Sequence, residues 1–276
     1  FPTRRSSDLS VINPASNGYA AADPRGLAVQ LATATAAANF AAGDLLLVDG
    51  GANDASALVG AYLAAAKDGG ASYLALLGTV LTPAQVAAAA GGGAAGLATA
   101  GGLYMAALAD KFAAMLQTGA LDKGAQRIAL LNVPGITSTP RFQRVLDDIA
   151  LASGGGTAGA TVRAQSEDLF RSWVVAFNTQ LATKFSGNGK VAIVDVYTAI
   201  NSEVANPAQY NLSNVTTPAC PSTGTGTDGL PTYSFPTCTD ASLAAAPPAG
   251  VTGTDWYKTY AFSDGFHTSV LPQTSA

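Results

Sequence analysis

The stretch Asp44-Leu45-Leu46-Leu47-Val48-Asp49-Gly50-Gly51-Ala52-Asn53-Asp54 decides the fold. Leu45 to Val48 are too few for a helix, and Gly50-Gly51 end the apolar run at once, so the segment reads as a buried parallel strand entering a tight loop. Open α/β sheets bind ligands beyond the carboxyl ends of their strands, which puts Asn53 where chemistry is expected. Two readings of Asn53 stand. As a side-chain amide beside glycines that let a substrate approach the backbone, it can donate to a developing oxyanion. As a turn residue, it is there for its tolerance of unusual backbone angles. Asp54 reads first as the cap of the following helix, over about 54–67.

Two more apolar runs carry the same signature. Ile128, Ala129, Leu130, Leu131 and Val133 form a continuous run that implies burial on both faces, and 190–197, with its Val-Ala-Ile-Val core, is a third strand. Helices are expected between them. Asp23-Pro24 opens one through about Asn39, with Pro24 in its first turn. Thr82-Pro-Ala-Gln85 is a capping-box start, leading to a helix, a glycine break at 91–93 and a second helix to about Thr118. The absence of charge from Thr82 to Ala109 does not make a membrane span, because the segment is mostly alanine and glycine rather than bulky apolar residues. A short helix over 141–152 precedes a long amphipathic one over 158–185, with Trp173 in its core stripe. Alternating strands and helices with long connections specify a parallel sheet covered on both sides, a three-layer α/β/α architecture.

Composition agrees with one folded domain over 10–276. Of the 276 residues 48% are hydrophobic and 12% charged, with a net charge of -4. That gives no basic footprint, so no nucleic-acid partner is expected. One histidine and two cysteines in a loop cannot build a zinc site, and no metal or organic cofactor is implied. No Gly-x-Gly-x-x-Gly or Walker pattern supports nucleotide binding at Gly50-Gly51.

Regular structure is expected to give way to an irregular lobe over about 206–260, a length that in a compact domain is normally functional or disordered. Cys220 and Cys238 lie in this polar loop, and their closeness argues for a disulfide worth about 3 kcal/mol in a chain-entropy estimate, hence for an oxidising compartment. Two unpaired thiols are the other reading. Trp256, Tyr257, Tyr260 and Phe262 follow, either as aromatic bulk at a pocket rim or as packing beneath the lobe. His267, the only histidine, stands three residues after Asp264 in Phe262-Ser-Asp-Gly-Phe-His-Thr268. A carboxylate at that spacing can orient the imidazole so that its other nitrogen serves as a general base.

A strand-end Gly51-Ala52-Asn53-Asp54 joined to a late Asp264-x-x-His267 resembles the SGNH (GDSL-type) esterase and lipase family. Asn206-Pro-Ala-Gln-Tyr210 and Asn214-Val-Thr-Thr-Pro-Ala-Cys220 are similar to its bacterial secreted branch, and the resemblance covers about Val11 to His267. It implies a flavodoxin-like sheet of order 2-1-3-4-5 and a Ser-His-Asp carboxylic ester hydrolase. His267 is then the base, Asp264 its orienting acid, Asn53 the oxyanion donor and Gly51 the support of its loop. Pro134 and Ile136 would border an acyl site, although loop packing accounts for them equally. The implied ligand is a small-molecule or lipid ester, and the implied location is secreted, periplasmic or at the cell surface. Membrane association is expected only through segments outside this chain.

The family's Gly-Asp-Ser-Leu-like nucleophile motif is not in the sequence. Phe1-Pro-Thr-Arg-Arg-Ser-Ser-Asp-Leu9 resembles a back-translated sequencing adapter and is expected to be a non-native scar, so neither Ser6 nor Ser7 is the nucleophile. The first strand and its serine are therefore expected to be missing, leaving an inactive and poorly stable fragment, since a sheet interior with unpaired backbone groups is costly. The residues after His267 lack the family's usual continuation, so the C-terminus is also expected to be altered. A non-catalytic carbohydrate- or surface-binding domain on the same scaffold is the alternative from another class.

Overall fold

The structure, a computed structural model, describes residues 10–226, 229–234 and 236–269. The nonamer Phe1–Leu9, with Ser6 and Ser7, and the end of the chain after Ser269 lie outside the described residues. The fold is mixed α/β, and the chain divides into two compact units.

The first unit, residues 10–134 with 169–197, holds a three-stranded parallel sheet of order β1-β2-β3: β1 (Leu46–Val48), β2 (Ile128–Leu131) and β3 (Val191–Val194). Leu46, Ile128 and Val191 are in register, as are Val48, Leu130 and Ile193. All three strands fall inside the segments expected from sequence. Their burial differs from the expectation of two covered faces. Val48, Ile128 and Leu130 are buried, whereas Leu45, Leu47 and Val194 are 68%, 73% and 41% exposed. Side chains alternate across a strand, so the odd register row, Leu47-Ala129-Ala192, turns to the opposite face from the buried row. A continuous apolar run cannot show that difference, because both rows are equally apolar.

Helices α1 (Leu27–Ala34), α2 (Ala52–Asp68), α3 (Ala71–Leu77), α4 (Pro83–Gly91) and α5 (Gly93–Leu116) belong to this unit. The first is shorter than 23–39. Asp23 binds the backbone and guanidinium of Arg25 in a preceding turn, and Gly26 caps the helix. The capping box of α4 forms, Thr82 accepting from the Gln85 N–H while Gln85 accepts from the Thr82 N–H. The glycine break separates α4 from α5 where the sequence placed it. The long helix α7 (Gly156–Lys184) follows α6 (Pro140–Ala152) and supplies residues to both units. From its second half Phe170, Trp173 and Phe177 are buried. Trp173 donates to the Ala98 carbonyl at 2.9 Å and packs directly on the backbone of Gly101, where there is no room for a Cβ. Tyr62 meets Tyr73, Phe170 and Trp173 edge-on at 5.3–6.1 Å, aromatic pairs that add to the burial of their area. Trp173 is a core residue, as its spacing indicated.

The second unit comprises residues 135–168 and those from 198 onward. Beyond α6 and the first part of α7 its regular structure is sparse: the end of α8 (Val196–Ala205), the two-residue strands β4 (Gly224–Thr225) and β5 (Pro231–Thr232) paired antiparallel, and α9 (Asp240–Ala245). Two small cores hold it. Ala219, Leu243, Trp256 and Tyr260 pack with Cys238, Val251 and Tyr257; Leu212, Ala261 and Phe262 pack with Val204 and Val215. The Trp256 indole donates to the Leu243 carbonyl at 2.8 Å. Trp256, Tyr260 and Phe262 are thus lobe core, which decides between the two sequence readings of these aromatics in favour of packing. Cys220 and Cys238 form a disulfide. No helix among the described residues is long and apolar enough to cross a membrane.

Candidate functional site

The Asn53 turn lies in the first unit. Gly51 adopts a left-handed φ of 101° and caps α2, and a Cβ there would come within 2.9 Å of Val133 and 3.1 Å of Phe177. Both the backbone angle and the space demand glycine. Asn53 itself is in the first turn of α2 with helical geometry, so it is not a turn residue chosen for unusual angles; that duty falls on Gly51. Its amide donates to the Ser10 carbonyl at 3.3 Å.

Asp54 is not the helix cap. It is the third residue of α2, wholly buried, and its carboxylate faces the segment before α1. It accepts from the N–H of Ile12 at 3.0 Å, the N–H of Asn13 at 2.9 Å and the Ser16 hydroxyl at 2.9 Å. Asn13 continues the network by donating to Thr79 at 2.7 Å and Tyr104 at 3.0 Å. Burial pushes the Asp54 carboxyl up, and the donors only partly offset it. Burial likewise pushes the Tyr104 phenol up to about 12. Sequence reasoning missed this centre because Asp54 and its partners are 38 to 42 residues apart, with no local pattern to connect them.

Asp264 and His267 lie in the second unit, and the structure brings them together. The turn between them is closed by the antiparallel bridge Phe262–Thr268 and by Ser263, whose N–H and hydroxyl donate to the His267 carbonyl at 2.7 and 3.1 Å. Inside it, Asp264 Oδ1 accepts from the N–H groups of Phe266 and His267 at 2.7 and 2.8 Å, and Oδ2 meets His267 Nδ1 at 2.8 Å. A carboxylate on Nδ1 holds the proton there and makes Nε2 the basic nitrogen. The Asp264 side chain is 7% exposed and that of His267 36%. Burial, the largest single influence on Asp264, raises its carboxyl; the bonds from the His267 side chain and from the two N–H groups, with the imidazole's charge, outweigh it, and the net shift is downward.

The pair is flanked on several sides. Arg141 N–H, at the start of α6, donates to the Gly265 carbonyl at 2.9 Å; its guanidinium lies 5.4 Å from the Phe266 ring, and Phe142 meets that ring edge-on at 5.9 Å. A Cβ on Gly265 would lie 3.3 Å from both Arg141 and Tyr233. Burial raises the Tyr233 phenol, as does the charge of Asp264, while Arg141 and Arg144 lower it. Ile136 is 2% exposed, which favours the loop-packing reading of this residue. Among the described residues no group of three His, Cys, Asp or Glu is placed to hold a metal ion.

No protein-family model matches the chain, and no curated protein matches it.

Proposed function

We propose that the protein is a carboxylic ester hydrolase of the SGNH type, exported to an oxidising compartment. The observation that carries the reading is the Asp264–His267 pair, a buried carboxylate fixed by backbone N–H groups and bonded to the imidazole Nδ1. In this mechanism Asp264 sets the tautomer and stabilises the imidazolium, and His267 Nε2 takes the proton of a serine hydroxyl as it attacks the ester carbonyl. His267 then returns that proton to the leaving alkoxide. No residue of the 276 is assigned as the serine. Asn53 supplies an amide donor to the tetrahedral oxyanion, a contribution of roughly 100- to 1000-fold where such donors are removed, and Gly51 supports its turn. The resident chemistry requires no cofactor.

The strand order β1-β2-β3 supports the finer fold reading, since it fits positions 3-4-5 of a flavodoxin-like 2-1-3-4-5 sheet when the strand leading to Asn53 is counted third. The disulfide supports export, because such bonds persist in oxidising compartments. The test is p-nitrophenyl ester hydrolysis by the protein expressed from its complete reading frame, with fluorophosphonate labelling to locate the serine. His267→Ala is expected to lower kcat by about 1000-fold or more. Unchanged hydrolysis in that variant would remove His267 from the mechanism.

A further inference from the structure

The disulfide is tied to the Asp264–His267 turn by the backbone on one side and to the lobe core on the other. Cys220 N–H donates to the Ser263 carbonyl at 2.8 Å and Ala219 N–H to the Phe262 carbonyl at 2.9 Å. Ser263 is also the residue whose N–H and hydroxyl grip the His267 carbonyl. A displacement of Cys220 is therefore passed directly to the closure of the turn. Cys238, the other half of the bond, packs against the cluster of Ala219, Leu243, Trp256 and Tyr260. Five residues before it, Tyr233 brings its ring edge close to Gly265, between Asp264 and Phe266, so that a Cβ there would lie 3.3 Å from the ring.

We propose that the Cys220–Cys238 disulfide is a redox-sensitive brace that keeps the Asp264 carboxylate water-excluded and aligned on His267. The segments it joins run outside any extended ladder, and short loop pairings of this kind open locally at low cost. The covalent link limits that opening by holding Cys220 to a packed core. Cys238 is half-buried between the exposed Thr237 and Thr239, which makes it the more open end of the bond, since Cys220 is 5% exposed. Attack by one thiolate of a dithiol breaks the S–S bond and forms a mixed disulfide; the second thiolate displaces the remaining cysteine. The protein gains two electrons and two protons as two thiols, and the dithiol becomes a cyclic disulfide. With the bond cut, Cys220 and Tyr233 are free to move off the turn, water reaches Asp264, and its bonds to Phe266, His267 and the imidazole compete with solvent.

The proposal concerns how the pair is held, whatever reaction the pair serves, so its test is independent of ester hydrolysis. Amide hydrogen exchange is measured on the oxidised full chain, on the chain reduced with dithiothreitol, and on the Cys220→Ser, Cys238→Ser double variant. Protection of the Phe266 and His267 amides is expected to fall about tenfold or more in the reduced chain and the double variant alike, with β2 and β3 amides unchanged. The His267 Nδ1 proton, unambiguous because the chain has one histidine, should be visible by NMR in the oxidised chain and broadened away in the other two. Equal protection with and without the disulfide overturns the brace. Loss of protection at β2 and β3 as large as that at the turn overturns it too, by making the bond a general stabiliser. A disulfide that dithiothreitol leaves intact overturns its redox sensitivity.

Discussion

Asp54 and Asp264 each accept hydrogen bonds from two backbone N–H groups and one side chain, yet their acidities move in opposite directions. At Asp54 the donors are neutral and the carboxylate is wholly buried, so desolvation prevails and the carboxyl is raised. At Asp264 the side-chain donor is an imidazole that can carry charge, and that imidazole reaches the surface; desolvation is still the largest influence but is outweighed. The number of donors therefore does not set the outcome. A partner able to share charge, close to water, is what keeps a buried carboxylate ionised and useful to a proton-transfer step. Asp54 has the features of a structural tie, and Asp264 those that the proposed acid-base role requires.

The largest expected effect falls on the tie. Asp54→Ala leaves the N–H groups of Ile12 and Asn13 without their acceptor, in residues that are 3% and 4% exposed. Each orphaned buried donor costs about 1–3 kcal/mol, so the variant should lose about 4 kcal/mol in urea unfolding. A loss below about 1 kcal/mol would mean that the Ile12–Asn13 segment finds other partners and that Asp54 does not anchor it.

The same contrast marks what could be read from sequence. Asp264 and His267 were legible because only two residues of a single turn separate them and the carboxylate needs no distant help. The capping box at Thr82 and the strand cores were legible for the same local reason. Asp54 was read as a cap because its partners are more than thirty residues upstream. The expected strand at 190–197 ends at Val194 because Asn132, just past the end of β2, accepts the Tyr197 N–H at 3.0 Å and donates to Asp195 at 2.8 Å, turning the chain into α8 by contacts that no local pattern announces. Helix α3 escaped notice since its cap is Gly70, with no side-chain hydrogen bond. The exposed row of the sheet was invisible for want of any polar residue in it.

Acidity should separate the two carboxylates by sign. Asp264 has a folded pKa below its ordinary 3.8, so its stabilising contribution is complete above about 3.8 and is lost as pH falls through the depressed folded value. The cost of Asp264→Asn should then grow as pH rises towards about 3.8 and level off above it. Asp54 has a folded pKa above 3.8, so its ionisation works against folding. Its contribution is fullest below 3.8 and declines as pH rises through the raised value. The cost of Asp54→Asn should shrink as pH rises above about 3.8, where that of Asp264→Asn has levelled off. Urea midpoints of the parent and both variants at several pH values measure this, and two costs that move the same way would break the contrast.

The smallest effect is expected at the imidazole. His267→Ala removes one of the bonds to Asp264 but leaves the two N–H groups in place, and the space vacated by a side chain 36% exposed admits water to Oδ2. Solvent then replaces most of what the imidazole supplied, and an ion pair so near the surface is screened. The stability loss should be about 1 kcal/mol or less, well under that of Asp54→Ala, while the Asp264 carboxyl moves upward because its largest favourable partner is gone. That combination is what a chemical role predicts: a residue held in place by its surroundings, contributing little to holding them. A loss as large as that of Asp54→Ala would instead make His267 a structural tie and remove the physical distinction between the two centres.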